Sequence, residues 1–186
     1  MAWLTRAQLD RLGFASLGDN VQISDRASLY GAERMRIGSH VRVDDFAVIT
    51  AQEPVSIGSY CHISARAFLG GTHGIEIGDF VNLSVGSCVF TSCDDCTGNH
   101  LVGPTVPEQF RDVRSGKITF GDFAGIGANS VVLPGVQFPE GSGIGALTLA
   151  HRNLEPWTFY LGVPMRILKR TSTRLRDLAG QLRATP

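Results

Sequence analysis

Residues 37–56 read IGSHVRVDDFAVITAQEPVS, and residues 57–76 read IGSYCHISARAFLGGTHGIE. Both open on Ile-Gly, and both place an aliphatic residue at every sixth position: Ile37, Val43 and Ile49, then Ile57, Ile63 and Leu69. The frame extends back to LGDNVQISDRASLYGAERMR from Leu17 and forward to IGDFVNLSVGSCVFTSCD from Ile77, four blocks at a spacing of 20 residues. Each block is three hexapeptides, and the first three carry two extra residues at the end. A second series steps by six through Phe120, Ile126, Val132, Phe138 and Ile144. This pattern predicts a triangular parallel β-solenoid, in which every sixth side chain points inward and stacks on its counterpart one coil away. Glycine and small polar residues follow, where the backbone bends at a corner. A β-sandwich also has many turns, but gives no reason for a six-residue step.

Bulk composition sets the outer limits. Seventeen basic and seventeen acidic side chains cancel, so no global field favours nucleic acid or an anionic membrane. No apolar run reaches the roughly 18 residues of a membrane span, and MAWLTRAQLDRLGF does not read as a secretion signal, which makes the cytoplasm the expected compartment. Cysteines 61, 88, 93 and 96 do not form a disulfide framework in a chain of 186 residues. The expected organisation is one domain. A helix lies in residues 1–16, where Thr5 and Gln8 form a capping box, Leu4 staples onto Leu9 and Gly13 stops the turn. The solenoid covers residues 17–170 with an excursion over 95–117. A helix in 171–186 carries Leu175, Leu178, Ala179 and Leu182 at helical spacing.

The hexapeptide frame, IGANSVVLPGV and the closing LGVPMRILKR resemble the hexapeptide-repeat acyltransferases. The resemblance implies a left-handed parallel β-helix, contrary to the usual right-handed crossover, in a homotrimer with active sites between subunits. Sugar and small-alcohol acetyltransferases of that family carry a catalytic histidine at a position that falls here on Asp94, counting from Ile77 without a gap. The run from Asp94 to Pro107, DDCTGNHLVGPTVP, instead resembles the branch that acylates nucleotide-linked 4-amino-4,6-dideoxy sugars in surface polysaccharide (lipopolysaccharide, O-antigen) biosynthesis. That branch implies an aspartate and a serine in the acid/base role, matched by Asp94 and Ser84.

Elementary acidity agrees with the swap. An alcohol holds its proton with a pKa near the ~16 of water, far from a carboxylate at about 4. An amine's conjugate acid lies near about 8, leaving a gap of roughly four units, or about 5 kcal/mol before burial raises the aspartate. Asp94 therefore favours an amine acceptor, against the plainer reading of a solvated loop carboxylate or turn cap. Asp95 reads as a turn cap. His100, inside the excursion, and His73, at a corner insertion, are the competing bases.

Cys93-Asp94-Asp95-Cys96 lacks the second cysteine pair of a structural zinc site and does not open a helix as a redox pair does. Its cysteines read as packing residues. A γ-class carbonic anhydrase uses three histidines on this fold, but His40, His62, His73, His100 and His151 share no repeat position, so no metal is expected. For the donor, acetyl-CoA or another short acyl-CoA, the resemblance places Ala128 and Ala146 beside the extended arm. It places His151, Arg152, Arg166 and Lys169 near the phosphates, each alternatively a solvated charge. Ser64 and Arg66, one coil before Ser84, are expected at the acceptor together with His100. Tyr60, Phe68 and Phe46 read as core or interface residues. The function expected is acyl-CoA-dependent N-acylation of a nucleotide-linked sugar, a dTDP-4-amino-4,6-dideoxy sugar by the resemblance. The alternatives are sugar O-acetylation with His100 as base, or a non-enzymatic scaffold.

Overall fold

A computed structural model describes residues 2–185, so the outer bounds placed at Met1 and Pro186 lie outside the described residues. About seven turns of chain wind through three parallel sheets. Strand register converts the hexapeptide frame directly into columns. Leu17, Ile37, Ile57, Ile77, Phe120 and Phe138 pair in succession on one sheet. Ile23, Val43, Ile63, Leu83, Ile126, Ile144 and Tyr160 do so on the second. Leu29, Ile49, Leu69, Val89, Val132 and Ala150 form the third. Nearly all are buried, and together they are the core. Each coil hides its apolar edge only against its neighbours.

The corners correct one expectation. The glycines after the first aliphatic of each block are there for close approach: a Cβ on Gly58 would lie 2.6 Å from the Gly78 backbone. The left-handed backbone is carried two residues later by large side chains, with φ near 60° at His40, Tyr60, Phe80 and Phe123. A left-handed non-glycine residue costs roughly 1–2 kcal/mol. Here the cost is offset by stacking, since ring centroids follow one another at 4.6, 4.9 and 5.2 Å along the corner from His40 to Phe123.

Helix α1 spans Arg6–Arg11, with the Thr5–Gln8 capping box present and Leu9 buried. Helix α2 spans Arg174–Arg183 and straps the aromatic corner, where Arg183 lies over the Phe80 ring and Arg176 over Trp157. The solenoid ends earlier than residue 170. Strand Thr158–Leu161 is its last parallel member, and Arg166–Arg170 folds back antiparallel on it. No helix among the described residues is long and apolar enough to cross a membrane.

Candidate active site

Ser84 lies directly after the two-residue strand Asn82–Leu83, whose Leu83 points into the core while Asn82 is exposed on the outer face. Arg42, His62 and Asn82 share that outer face because they pair in register on adjacent strands. Gly125 and Gly143 continue the column without side chains as far as Phe159, whose ring lies against Gly143. A polar chain runs along this face from the buried Asp44 through His62 and Asn82 to Ser84. Burial pushes the Asp44 carboxyl up, but hydrogen bonds from Arg42 and His62 outweigh it and hold the group below its ordinary value. Ser64 stands one coil below Ser84, as expected, and its hydroxyl lies 3.4 Å from His62 Nδ1. Arg66 occupies a left-handed corner (φ 61°) and makes no ion pair among the described residues.

Asp94 is not the last residue of a coil. The chain leaves the solenoid after Thr91, whose hydroxyl donates to the Gly70 carbonyl at 2.6 Å. Strand Ser92–Asp94 then pairs antiparallel with Val113–Ser115, so the excursion is carried on a two-stranded stalk beginning three residues earlier than expected from its composition. At the top of the stalk Arg111 grips Asp94 Oδ1 from Nε (3.0 Å) and Nη2 (2.7 Å), and the Gly103 amide donates to Oδ2 at 3.1 Å. The Arg111 guanidinium holds the Asp94 carboxyl below the usual carboxylate range, overcoming the opposing effect of burial with help from the Gly103 amide. The expectation that burial would raise this group is thus reversed. Arg111, His73, Ser92 and Glu108 border a cleft of about 670 Å³ on one side of the stalk. Cys93, Arg114 and His151 border a groove of about 430 Å³ on the other.

Within one chain Ser84 and Asp94 do not meet. They follow different strands of the triangle, and neither is a hydrogen-bond partner of the other. His100 turns toward Asp95, 3.2 Å from its Oδ2, instead of folding back over the solenoid. Asp95 caps a turn by accepting from the Thr97 amide and hydroxyl, as expected, and those bonds together with His100 hold its carboxyl low. Ligand-type atoms of Asp95, His100 and Asp112 lie within 4.8 Å of one another, a convergence invisible to a comparison of histidine positions in the repeat. Cys93 is half-buried and Cys96 exposed, both as free thiols, so Cys96 is not the packing residue expected. Burial pushes the thiol of Cys61 up to about 11.

On the donor side, Ala128 and Ala146 precede the left-handed corner residues Asn129 and Leu147 on successive coils, and the Ala128 carbonyl accepts from the Leu147 amide. Close approach of these coils leaves no room at Gly127, where a Cβ would lie 2.2 Å from the Ala146 nitrogen. His151 sits 3.3 Å from the Leu149 carbonyl, and Arg152 lies over the Tyr160 ring. Arg166 and Lys169 are three residues apart in a strand, a spacing that ordinarily faces opposite ways. A register shift leaves Leu168 unpaired, so Arg166 pairs with Leu161 and Lys169 with Phe159, which returns both cations to one face. Sequence spacing alone had no signal for that bulge.

No family model matches the chain. It is 37% identical over 179 residues to a dTDP-4-amino-4,6-dideoxy-D-glucose acyltransferase of Escherichia coli, covering 96% of this chain and 93% of that one. Its fold superposes on AntD, an N-acyltransferase from Bacillus cereus in complex with dTDP and 3-hydroxybutyryl-CoA, with a TM-score of 0.93. Identity there is 38%, with 97% of this chain and 95% of AntD covered. A serine variant of AntD in complex with dTDP-4-amino-4,6-dideoxyglucose and coenzyme A superposes with a TM-score of 0.95 at 37% identity, covering 99% and 98% of the two chains. A maltose O-acetyltransferase from Clostridium difficile shares the left-handed β-helical fold alone, with a TM-score of 0.58 at 19% identity over 89% of this chain and 74% of that one.

Proposed function

The chain belongs to the dTDP-4-amino-4,6-dideoxyglucose acyltransferases built on the hexapeptide-repeat β-helix, and from that premise we propose that it N-acylates a dTDP-linked 4-amino-4,6-dideoxy sugar from acyl-CoA. The amine nitrogen attacks the thioester carbonyl carbon, the C–N bond forms and the C–S bond breaks, and the coenzyme A thiolate leaves and takes up a proton. The nitrogen sheds its proton to Asp94, while Ser84 holds the amine by accepting one of its N–H groups. Arg111 makes Asp94 a weaker base than an ordinary carboxylate, which suits a proton that becomes acidic only once nitrogen is bonded to the carbonyl carbon. A hydroxyl acceptor would need a far stronger base. The observation that carries the reading is Asp94 itself, a tethered carboxylate where the O-acetylating branch has a histidine.

The separation of Ser84 from Asp94 within one chain supports a homotrimer in which the corner of one subunit meets the stalk of the next. Ala128 and Ala146 then line the donor arm, with His151, Arg152, Arg166 and Lys169 toward its phosphates. Ser64 and Arg66 face the sugar nucleotide, with His100 at the mouth of the excursion. The reaction uses no metal, takes place in the cytoplasm and provides an acylated sugar for surface polysaccharide. Sedimentation is expected to give three chain masses; a monomer at micromolar concentration overturns the shared site. Thiol release from acyl-CoA, measured with matched 4-amino and 4-hydroxy dTDP sugars, tests the acceptor. Turnover of the amine alone is expected, and turnover of the hydroxy sugar alone makes the chain an O-acyltransferase.

A further inference from the structure

A line of hydrogen bonds crosses three coils and ends on Ser84. Arg42 Nε donates to Asp44 Oδ1 at 2.7 Å, and His62 Nε2 lies 2.8 Å from Asp44 Oδ2. His62 Nδ1 lies 3.1 Å from Asn82 Oδ1, and Asn82 Nδ2 donates to Ser84 Oγ at 3.2 Å. An ionised carboxylate only accepts, so the proton on the ring belongs first to Nε2. What Nδ1 carries then depends on the charge of the imidazole. As imidazolium it donates to the Asn82 carbonyl, the Asn82 amide nitrogen donates to Ser84, and the Ser84 hydroxyl proton points outward. As a neutral ring it presents a lone pair. The Asn82 amide then turns over to donate to Nδ1, its carbonyl accepts from the Ser84 hydroxyl, and the lone pairs of Ser84 face outward.

We propose that His62 is a positioning residue that sets, through Asn82, whether Ser84 offers its proton or its lone pairs to the acceptor amine, the neutral ring being the productive form. An attacking amine must direct its lone pair at the thioester, so it presents N–H groups to the protein and needs an acceptor there. The inference rests on the reading of Ser84 as a residue of the active site. The charged groups against the ring are Arg42 and Asp44, both from the preceding coil and paired with each other; Asn82, Ser64 and Ser84 are neutral. Asp44 is buried beneath the chain, so the ring cannot swing away without leaving a carboxylate short of a partner.

The test compares wild type with His62→Gln and Asn82→Ala, two substitutions at partly or fully exposed side chains that leave Ser84 in place. The kcat/KM for thiol release is followed across the range in which imidazoles titrate. Wild type is expected to need two deprotonations, of the amine and of His62, so that log kcat/KM falls with a slope of two on the acid side. Each variant is expected to fall with a slope of one, losing about 10-fold less per pH unit than wild type. Nitrogen-15 spectra of the wild-type ring are expected to show the neutral proton on Nε2. A slope of two that survives in both variants, or a neutral ring protonated on Nδ1, overturns the proposal even if Ser84→Ala is inactive. Ser84→Ala within a few-fold of wild type overturns the reading of Ser84, and with it any catalytic role for the relay.

Discussion

Asp94→Asn is expected to bind coenzyme A and fold normally while losing about 10²–10⁴ in turnover, the usual contribution of a positioned acid or base. The amide keeps the size of the carboxylate and still accepts from Arg111, but it takes no proton. Raising the pH is expected to restore part of the rate, because more of the amine is then neutral before it attacks. A loop-anchoring role for Asp94 makes a different prediction, since the same carboxylate ties Arg111 and the Gly103 amide together at the top of the stalk. Arg111→Met breaks that anchor from the other side. If anchoring is the whole role, Asp94→Asn, which keeps the bond from Arg111, loses less rate than Arg111→Met, and its pH profile stays parallel to that of wild type. The direction of the Asp94 shift also places its titration. A carboxyl held below its ordinary value stays charged as pH falls through about 4, and the tether is lost only as pH falls through the still lower folded value. An acid limb seen above pH 5 therefore does not come from Asp94. His100→Asn is expected to cost little, because His100 spends its Nδ1 on Asp95.

What the sequence discloses is whatever repeats. Ile37, Ile57 and Ile77 name their own neighbours, because a step of 20 residues is one coil, and the core columns follow without further information. The same step places Arg42 beside His62 and His62 beside Asn82, so the relay to Ser84 was readable once outward positions were aligned as carefully as inward ones. A comparison of histidines alone, made for metal ligands, passes over it because the partners are an aspartate and an asparagine. The excursion is legible only as an interruption. Ser92 pairs with Ser115 and Asp94 meets Arg111 through contacts that have no counterpart in any other coil, so no periodicity announces them. For the same reason the tether of Asp94 to Arg111 and Gly103 has no signal in the repeat, and its acidity moves the opposite way from burial. The bulge at Leu168 is equally silent, since it depends on how one strand settles against another.

Leu83→Ala is expected to cost about 2–5 kcal/mol of stability, the range for emptying a fully buried leucine site in a core that cannot collapse. Leu83 is 0% exposed and lies between Ile63 and Ile126 in the middle of its column. Backbone bonds to both adjacent coils hold those neighbours at a fixed spacing, so they cannot close over the cavity. At the N-terminal end of the solenoid the first coil pairs with another coil on one side only, and Leu29, which is not fully buried, is expected to cost less on the same substitution. Leu83→Met keeps most of the volume and is expected to cost less than about 1.5 kcal/mol. Denaturant midpoints at matched protein concentration separate the three, because an oligomer's stability depends on that concentration. Equal losses at Leu83 and Leu29 would mean that the columns do not carry the fold. Leu83 also sits between Asn82 and Ser84 in the chain, so a cavity beneath it loosens the outer face as well. Turnover by the folded fraction of Leu83→Ala is therefore expected to fall, while that of Leu29→Ala, remote from the relay, is not.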